Sequence, residues 1–320
     1  MKVNIKKTVS TILPLTLGVF LIWYSVNKFS AEQITEIKHY FKNANYWYVV
    51  ISILCGFASH LSRAYRWNFM LAPLGYKPKL ANNAMAVFSG YIMNMAAPRS
   101  GEFSRALVVH KYEGVPYDKA LGTIIAERVA DLLILGIIVV STFFIQVDVL
   151  KGYLTNMVPI KTLTILGVVL LLLGIGFLWF VYKTNNAISL KIKGFISGIM
   201  DGILSISKME KKWAFLFHTL FIWCMYLAMF YINIYALPET SNMQFGVVLS
   251  AFVVGSFTIA FTNGGFGSYP FFIAEILTLF DVPNTVGTAF GWIVWIAQFV
   301  MLVFFGALSL ILLPFYNKNK

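Results

Sequence analysis

Apolar stretches of about 20 residues dominate the sequence, and this is the length that an α-helix needs to cross the hydrocarbon core of a bilayer. Apolar residues make up 59% of the 320-residue chain and charged residues 12%, about half of the roughly 25% that is usual in soluble domains. The sequence therefore predicts an all-α integral membrane protein with a single membrane domain over residues 1–320. We expect six transmembrane helices, at residues 8–26, 46–66, 120–145, 161–182, 213–236 and 285–313.

Two further apolar stretches are interrupted at their centres by residues that break helices. Residues 81–112 are broken at 96–102, and residues 245–281 are broken at 262–270. If each stretch enters the membrane and returns to its own side, most Lys and Arg residues fall on the cytoplasmic side, which is the bias known from membrane proteins. We therefore expect two re-entrant broken-helix hairpins, with the N- and C-termini in the cytoplasm and the protein in the bacterial plasma (inner) membrane.

The order of these elements repeats along the chain. Residues 8–146 contain a span, an amphipathic linker, a span, a hairpin and a span, and residues 161–313 contain the same series. Three spans separate equivalent elements, so the two halves would form an inverted repeat with a site at their interface near the membrane midplane. In the second half the linker at 188–207 has apolar residues at helical spacing, which predicts an amphipathic helix in the cytoplasmic interface.

The densest polar cluster lies in the first hairpin and contains Arg99, Glu102 and Arg105. A charge at membrane depth costs at least about 2.5–3.5 kcal/mol, so these side chains need partners. In one interpretation, Arg99 or Arg105 binds the phosphate of an anionic lipid. In the other, the arginines neutralise Glu102 and other buried acids and fix the hairpin in place. The sequence leaves both interpretations open.

A second charged cluster lies within a predicted span. Glu127 and Asp131 are four residues apart and share a helix face, and Arg128 lies three residues before Asp131. We expect this cluster to face the first hairpin, which supplies arginines. The resulting network either changes its pairing when substrate binds, carries a proton, or is a static group of buried ions.

Two more groups of residues are candidates for substrate binding. Arg63 and Arg66 end the second predicted span, where they either snorkel to the cytoplasmic headgroups or provide a second phosphate contact. The second hairpin has a glycine-rich turn whose backbone amides can hold an anion, or which is simply a packed bend. If the repeat holds, this turn forms a second wall of the cavity opposite the first hairpin. Its candidate residues are Asn263, Gly264, Gly265 and Gly267.

Several function classes are excluded by what the sequence lacks. The histidines show no spacing typical of metal ligands, and we expect no metal and no cofactor. No phosphate-binding loop of an ATPase is present, which argues against ATP-driven pumping. The net charge of +12 is not carried by a soluble basic module, so nucleic acid is not an expected partner. We expect a protein that is not an enzyme.

The charged and glycine motifs, in this order, resemble those of the transmembrane region of lysylphosphatidylglycerol synthetase/flippase proteins and their stand-alone relatives. The resemblance covers nearly the whole chain and departs at Asn263, where the family usually has proline. The motifs that carry it are Arg63 with Arg66, Arg99-Ser100-Gly101-Glu102 with Arg105, Glu127-Arg128 with Asp131, and Gly264-Gly265-Phe266-Gly267. The resemblance implies movement of a phospholipid or related lipid between leaflets, without the aminoacyl transfer that a separate soluble domain performs in the full-length enzymes.

The leading hypothesis is a lipid flippase or transporter for an anionic phospholipid or lipid-linked headgroup. Arg99 and Arg105 would bind the headgroup, while Glu102, Glu127 and Asp131 would hold and switch the arginines. One alternative is a membrane enzyme acting on phospholipid or polyprenyl-linked headgroups, with Glu127 or Asp131 as general base. Another is an assembly partner for an enzyme of envelope biosynthesis. The expected partners are therefore anionic membrane lipids, such an enzyme, or a second copy in a homodimer.

Overall fold

A computed structural model describes residues 5–97, 100–147, 149, 152, 160–186, 188–194, 197, 206, 209–262 and 264–318. These ranges contain helices and connecting turns but no strand, so the all-α prediction is confirmed. The α-helices are α1 (Ile5–Lys28), α2 (Ala31–Asn43), α3 (Tyr46–Leu71), α4 (Leu80–Ala96), α5 (Ser100–Glu113), α6 (Tyr117–Ile145), α7 (Ile160–Lys183), α8 (Lys212–Ile232), α9 (Phe245–Phe261), α10 (Ser268–Thr278) and α11 (Asn284–Tyr316). Short 3-10 helices lie at Ala72–Leu74, Asn233–Ala236 and Pro238–Thr240.

A long helix occupies the position of each predicted span. Among the described residues, Tyr117–Ile145, Lys212–Ala236 and Asn284–Tyr316 are long and apolar enough to cross a membrane. A fourth span results if Ala31–Asn43 and Tyr46–Leu74, which meet at a bend of 71°, cross as one broken segment. The chain is therefore an α-helical membrane protein with about three to four apolar spans. The count of six, the re-entrance of the hairpins and the inverted repeat stay predictions.

The chain forms two compact units, which are described separately. The first comprises Met1–Glu127 and Trp213–Lys320, and the second comprises Arg128–Lys212. The predicted halves at 8–146 and 161–313 stay a prediction.

The first predicted break falls between the end of α4 at Ala96 and the start of α5 at Ser100. Helix α5 already begins at Ser100, so Gly101 and Glu102 lie in its first turn rather than in the break. The Ser100 hydroxyl donates to the carbonyl of Met93 at 2.7 Å, and the Gly101 N–H donates to Asn94 Oδ1 at 2.7 Å. The bond to Asn94 satisfies a backbone N–H in the first turn of α5, which the start of a helix otherwise leaves without an intrahelical partner.

The second predicted break is confirmed between α9 and α10. Gly264, Gly265 and Gly267 have φ angles of +65°, +78° and +68°. Glycine adopts this left-handed region without the steric penalty that a Cβ atom brings. Pro270 lies in the first turn of α10, where its missing N–H costs no intrahelical bond.

Helix α11 packs closely against both hairpins at glycine residues. A Cβ atom added to Gly306 would lie 2.7 Å from Cβ of Ile92 in α4. One added to Gly291 would lie 2.8 Å from Cα of Pro270 in α10. Small residues allow this approach, which provides packing contacts between helices in a membrane. One long helix thus supports both hairpins in the first unit.

The second unit contains the start of the predicted interfacial helix. Residues 188–194 are helical, and the Ser189 N–H donates to Asn186 Oδ1 at 2.8 Å. The Lys193 ammonium donates to the carbonyl of Thr184 at 3.0 Å. Most of the remaining segment to residue 207 lies outside the described residues, so the length of this helix stays a prediction.

Candidate functional site

Two arginines in α3 are buried inside the protein. Arg63 is 2% exposed and Arg66 is 0% exposed, and both side chains pair with Glu127. The interpretation that they snorkel to lipid headgroups is therefore wrong. Helix α3 continues beyond residue 66, the predicted end of the span, to Leu71. The bounds of the span stay a prediction.

Glu127 in α6 is the centre of this cluster and is fully buried. Its Oε1 atom accepts from Arg63 Nη1 at 2.6 Å and lies 3.1 Å from Arg66 Nη2. Its Oε2 atom accepts from Arg105 Nη2 at 2.9 Å. One carboxylate thus binds three guanidinium groups, and we call Arg63, Arg66, Arg105 and Glu127 the arginine cluster.

Arg105 reaches Glu127 from the first hairpin. One turn before it, Gly101 packs against the backbone of Gly90 in α4, where an added Cβ atom would collide with the Gly90 carbonyl oxygen. This close approach fixes α5 and leaves Arg105 4% exposed. The sequence led us to expect that Glu127 faces this hairpin, and the structure places Arg105 beside it.

Sequence reasoning missed Trp67, whose ring contacts the guanidinium group of Arg105. The guanidinium carbon of Arg105 lies 3.9 Å from the centre of the Trp67 ring, a cation–π arrangement. The Trp67 Nε1–H donates to Thr123 Oγ1 at 2.8 Å, and Thr123 precedes Glu127 by one helical turn. The available signal was the position of Trp67 four residues after Arg63, on the same helix face.

Helix α8 supplies further contacts that the sequence gave no reason to expect. Arg66 Nη1 donates to Thr219 Oγ1 at 2.8 Å and lies over the ring of Phe215 at 5.1 Å. Arg63 Nη2 donates to the Tyr226 hydroxyl at 3.4 Å. Arg66 and Thr219 are 153 residues apart in the chain, so local sequence patterns contain no information about this pairing.

The other predicted site residues lie in different surroundings. Glu102 is half-buried in the first turn of α5. Within the second unit, Arg128 is 40% exposed and its Nη1 atom lies 3.9 Å from Asp131 Oδ2. Arg99 and Asn263 lie outside the described residues, so their roles stay predictions.

The glycine-rich turn contacts α1 and α11. The carbonyl of Gly264 accepts from Trp295 Nε1 at 2.8 Å, and Gly265 N–H donates to Thr262 Oγ1 at 3.1 Å. A Cβ atom on Gly267 would collide with the carbonyl oxygen of Gly18. These contacts account for the turn as a packed bend. Its role as an anion-binding wall stays a prediction.

Comparison with known proteins assigns the family. Residues 11–306 match the family described as the lysylphosphatidylglycerol synthase TM region. The chain belongs to this family. A UPF0104 membrane protein of Methanocaldococcus jannaschii is 28% identical over 151 residues, which is 44% of each chain. The chain thus spans under half the length of this curated relative. No solved structure matches the chain.

Family membership agrees with the resemblance expected from the motifs and with the apolar helices. This member of the lysylphosphatidylglycerol synthase TM region family is a multi-pass membrane protein, and the family points to a lipid-related role. Within its described residues, no three His, Cys, Asp or Glu side chains are grouped so that they could hold a metal ion. The arginine cluster has the charge and the donors to bind an anion.

Replacing Trp67 tests how far the arginine cluster depends on its aromatic support. We expect Trp67→Phe to lower the free energy of unfolding by about 1–3 kcal/mol, because it removes the bond to Thr123 and weakens the contact with Arg105. Thermal unfolding in detergent measures the change. Trp47→Phe is the matched control, since Trp47 is 73% exposed. Equal melting temperatures for the two variants would contradict the supporting role.

Proposed function

We propose that this protein is a flippase or transporter, not driven by ATP, that moves an anionic phospholipid or lipid-linked headgroup between leaflets. The arginine cluster would bind the headgroup phosphate, and Arg99 would assist from the hairpin turn. The protein would lie in the plasma (inner) membrane with both termini in the cytoplasm. The single observation that carries the proposal is the convergence of three buried guanidinium groups on Glu127.

The donor capacity of the cluster supports binding of an anion. Each guanidinium has five N–H donors in a fixed plane, whereas one carboxylate has about four acceptor positions. The three arginines therefore carry more donors than Glu127 alone accepts. A phosphate provides several anionic oxygens and forms bidentate bonds with arginine. A lipid phosphate is thus chemically suited to enter this cluster.

Glu127 would act as the resident counterion between transport events. Three guanidinium groups inside a membrane protein repel one another and lose hydration, so the empty site needs a buried negative charge. An entering phosphate would share the arginines with Glu127, and its departure would restore the pairing with the carboxylate. This exchange avoids a state in which the three charges are buried without a counterion.

The two hairpins would control access to the site. Each hairpin consists of two short helices, and α4 of the first hairpin and α10 of the second pack against α11. If the halves form an inverted repeat, the hairpins would open toward opposite leaflets, as in transporters that alternate access around a central site. Asn263, Gly264, Gly265 and Gly267 would then line the side opposite Arg105, while Glu102 would adjust how Arg105 pairs with Glu127.

Translocation of a fluorescent phosphatidylglycerol in proteoliposomes tests the proposal. We expect Arg105→Gln to lower the rate by about ten- to hundredfold, because a charge-assisted hydrogen bond contributes about 1.5–3 kcal/mol. Lys111→Gln is the matched control, since Lys111 is exposed on the same helix. Thermal unfolding of both variants separates lost binding from lost folding.

Three results would contradict the proposal. The first is a wild-type protein that does not accelerate translocation above the rate in protein-free liposomes. The second is a folded Arg105→Gln variant that retains the full rate. A changed lipid mass after incubation would instead indicate a membrane enzyme. Phosphatidylcholine in place of phosphatidylglycerol tests whether the anionic headgroup matters, and soluble glycerol phosphate as competitor tests whether the lipid chains are required.

A further inference from the structure

A buried histidine is connected to the arginine cluster through a tyrosine hydroxyl. His60 lies in α3, one turn before Arg63, and is 4% exposed. Its Nδ1 atom lies 3.4 Å from the Tyr226 hydroxyl, which accepts from Arg63 Nη2 at 3.4 Å. Arg63 in turn donates to Glu127. The contacts form a continuous polar route from the imidazole to the centre of the proposed site.

The Tyr226 hydroxyl is a junction between three helices. His60 and Arg63 reach it from α3, and the Tyr91 hydroxyl reaches it from α4 at 3.4 Å. The His60 and Tyr91 rings also contact each other in a tilted arrangement, with 4.5 Å between the ring centroids. A histidine with only a structural role in the core would need no more than packing contacts. His60 is in addition linked through Tyr226 to Arg63, which the proposed function uses.

Within the part of the chain that the structure describes, the rings that face His60 come from two helices. The aromatic groups that face it are Tyr91 and Phe88 from α4 and Tyr226 from α8. Arg63 lies on its own helix, and Glu127 from α6 is reached through Arg63. Helix α11, which also packs on α3, has no Asp, Glu, Lys, Arg or His in Asn284–Tyr316. A proton on His60 would therefore place a positive charge within two hydrogen bonds of Arg63.

We propose that His60 is a proton-binding site coupled to the arginine cluster, so that a proton and the lipid anion bind together. This inference rests on the proposed function and specifies its coupling ion. Histidine is the side chain that ordinarily changes charge between pH 5 and 8. A proton at His60 adds a positive charge beside Arg63 and strengthens the attraction of the cluster for a phosphate.

Proton binding forms one N–H bond at His60 Nδ1 and breaks one O–H bond of the hydronium ion that delivers the proton. All other changes are reorientations of hydrogen bonds, and no other covalent bond forms or breaks. With neutral His60, the Tyr226 hydroxyl donates to Nδ1 and accepts from Arg63. After a proton binds at the imidazole, Nδ1–H donates to Tyr226, whose own hydrogen rotates toward the Tyr91 oxygen. The Tyr226 oxygen then accepts from both the His60 imidazolium and the Arg63 guanidinium. Its hydrogen bond with Arg63 is weakened as a result.

Binding and protonation must strengthen each other equally. Coupling between two sites is reciprocal and is typically 5- to 150-fold in affinity. We expect the dissociation constant for phosphatidylglycerol to fall about tenfold between pH 8 and pH 5.5. By the same linkage, tenfold coupling corresponds to uptake of at most about 0.5 proton for each lipid bound.

The test uses the full-length protein in dodecyl maltoside with dioleoyl phosphatidylglycerol as the probe. Lipid affinity is measured from pH 5.5 to pH 8, and proton uptake on lipid addition is measured with an indicator dye in weakly buffered solution. We expect His60→Asn and His60→Gln to bind the lipid with an affinity that no longer depends on pH, and to take up no proton. His39→Asn is the matched control, because His39 is exposed on α2.

The outcomes separate the two proposals. Lipid binding without proton uptake by the wild type, or uptake that persists in the His60 variants, overturns the coupling and leaves the flippase proposal standing. Absence of phosphatidylglycerol binding at every pH overturns the proposed function and the coupling with it. If neither His60 variant folds, Tyr226→Phe removes the hydroxyl that lies between His60 and Arg63. Wild-type pH dependence and proton uptake in this variant would overturn the coupling, and their loss would support it.

Discussion

Glu127→Gln should be the most destabilising single substitution in the arginine cluster. The change keeps the size of the side chain but removes the charge that three guanidinium groups share. Loss of one partner from a buried ion pair costs about 3–5 kcal/mol, and here the loss affects three ions. We expect a strong fall in the yield of monodisperse protein and in its melting temperature, measured by size-exclusion chromatography and thermal unfolding in detergent.

Two controls make this expectation specific. Glu239→Gln removes an exposed carboxylate and should leave the melting temperature unchanged. Arg105→Gln introduced into Glu127→Gln removes one of the stranded charges, so the double variant should be more stable than the sum of the two single effects predicts. Additive effects would show that the four side chains do not act as one electrostatic group.

Gly101→Ala should disrupt the first hairpin with a single methyl group. A Cβ atom at this position would collide with the Gly90 carbonyl oxygen and lie 2.6 Å from Asn94 Cγ. Overpacking of this kind costs about 1–3 kcal/mol, and a shift of α5 would also move Arg105 away from Glu127. We expect a lower melting temperature together with slower lipid translocation.

Gly122→Ala is the matched comparison for this substitution. Gly122 lies in α6, and nothing lies within 4 Å of a Cβ atom built there. Alanine is favoured over glycine in a helix by about 0.8–1 kcal/mol, so this variant should be as stable as the wild type or more stable. If Gly101→Ala behaves like Gly122→Ala, the hairpin does not depend on close backbone contact.

The charged cluster also shows which site predictions depended on local information. Glu127 and Arg105 were expected to approach each other because one lies on a span and the other on the adjacent hairpin. Arg63 lies near the end of an apolar stretch, where the local pattern leaves open both snorkelling to the headgroups and a second phosphate contact. Its contact with Glu127 joins residues 64 positions apart, and no helix periodicity indicates a contact across that separation.

Trp67 and His60 show a second limit of sequence reasoning. Both are aromatic residues in an apolar helix, a pattern that ordinarily indicates core packing. The polar contacts of Trp67 with Thr123, and of His60 with Tyr226, depend on how α3, α6 and α8 pack side by side. The packing of these helices therefore decides that Trp67 and His60 are associated with the cluster, and the sequence of α3 alone does not indicate it.

The sequence by itself determined the helical membrane class, the positions of the long helices and the two breaks. These features follow from local chemistry. The apolar length of a span is a property of about 20 consecutive residues, and proline and left-handed glycine act within one or two helical turns. The tertiary structure decided which charges share Glu127, because a buried ion takes whichever partner the packing of distant helices brings within about 3 Å. Glycine contacts such as Gly101 with Gly90 set that packing, and their effect depends on the helix that lies opposite.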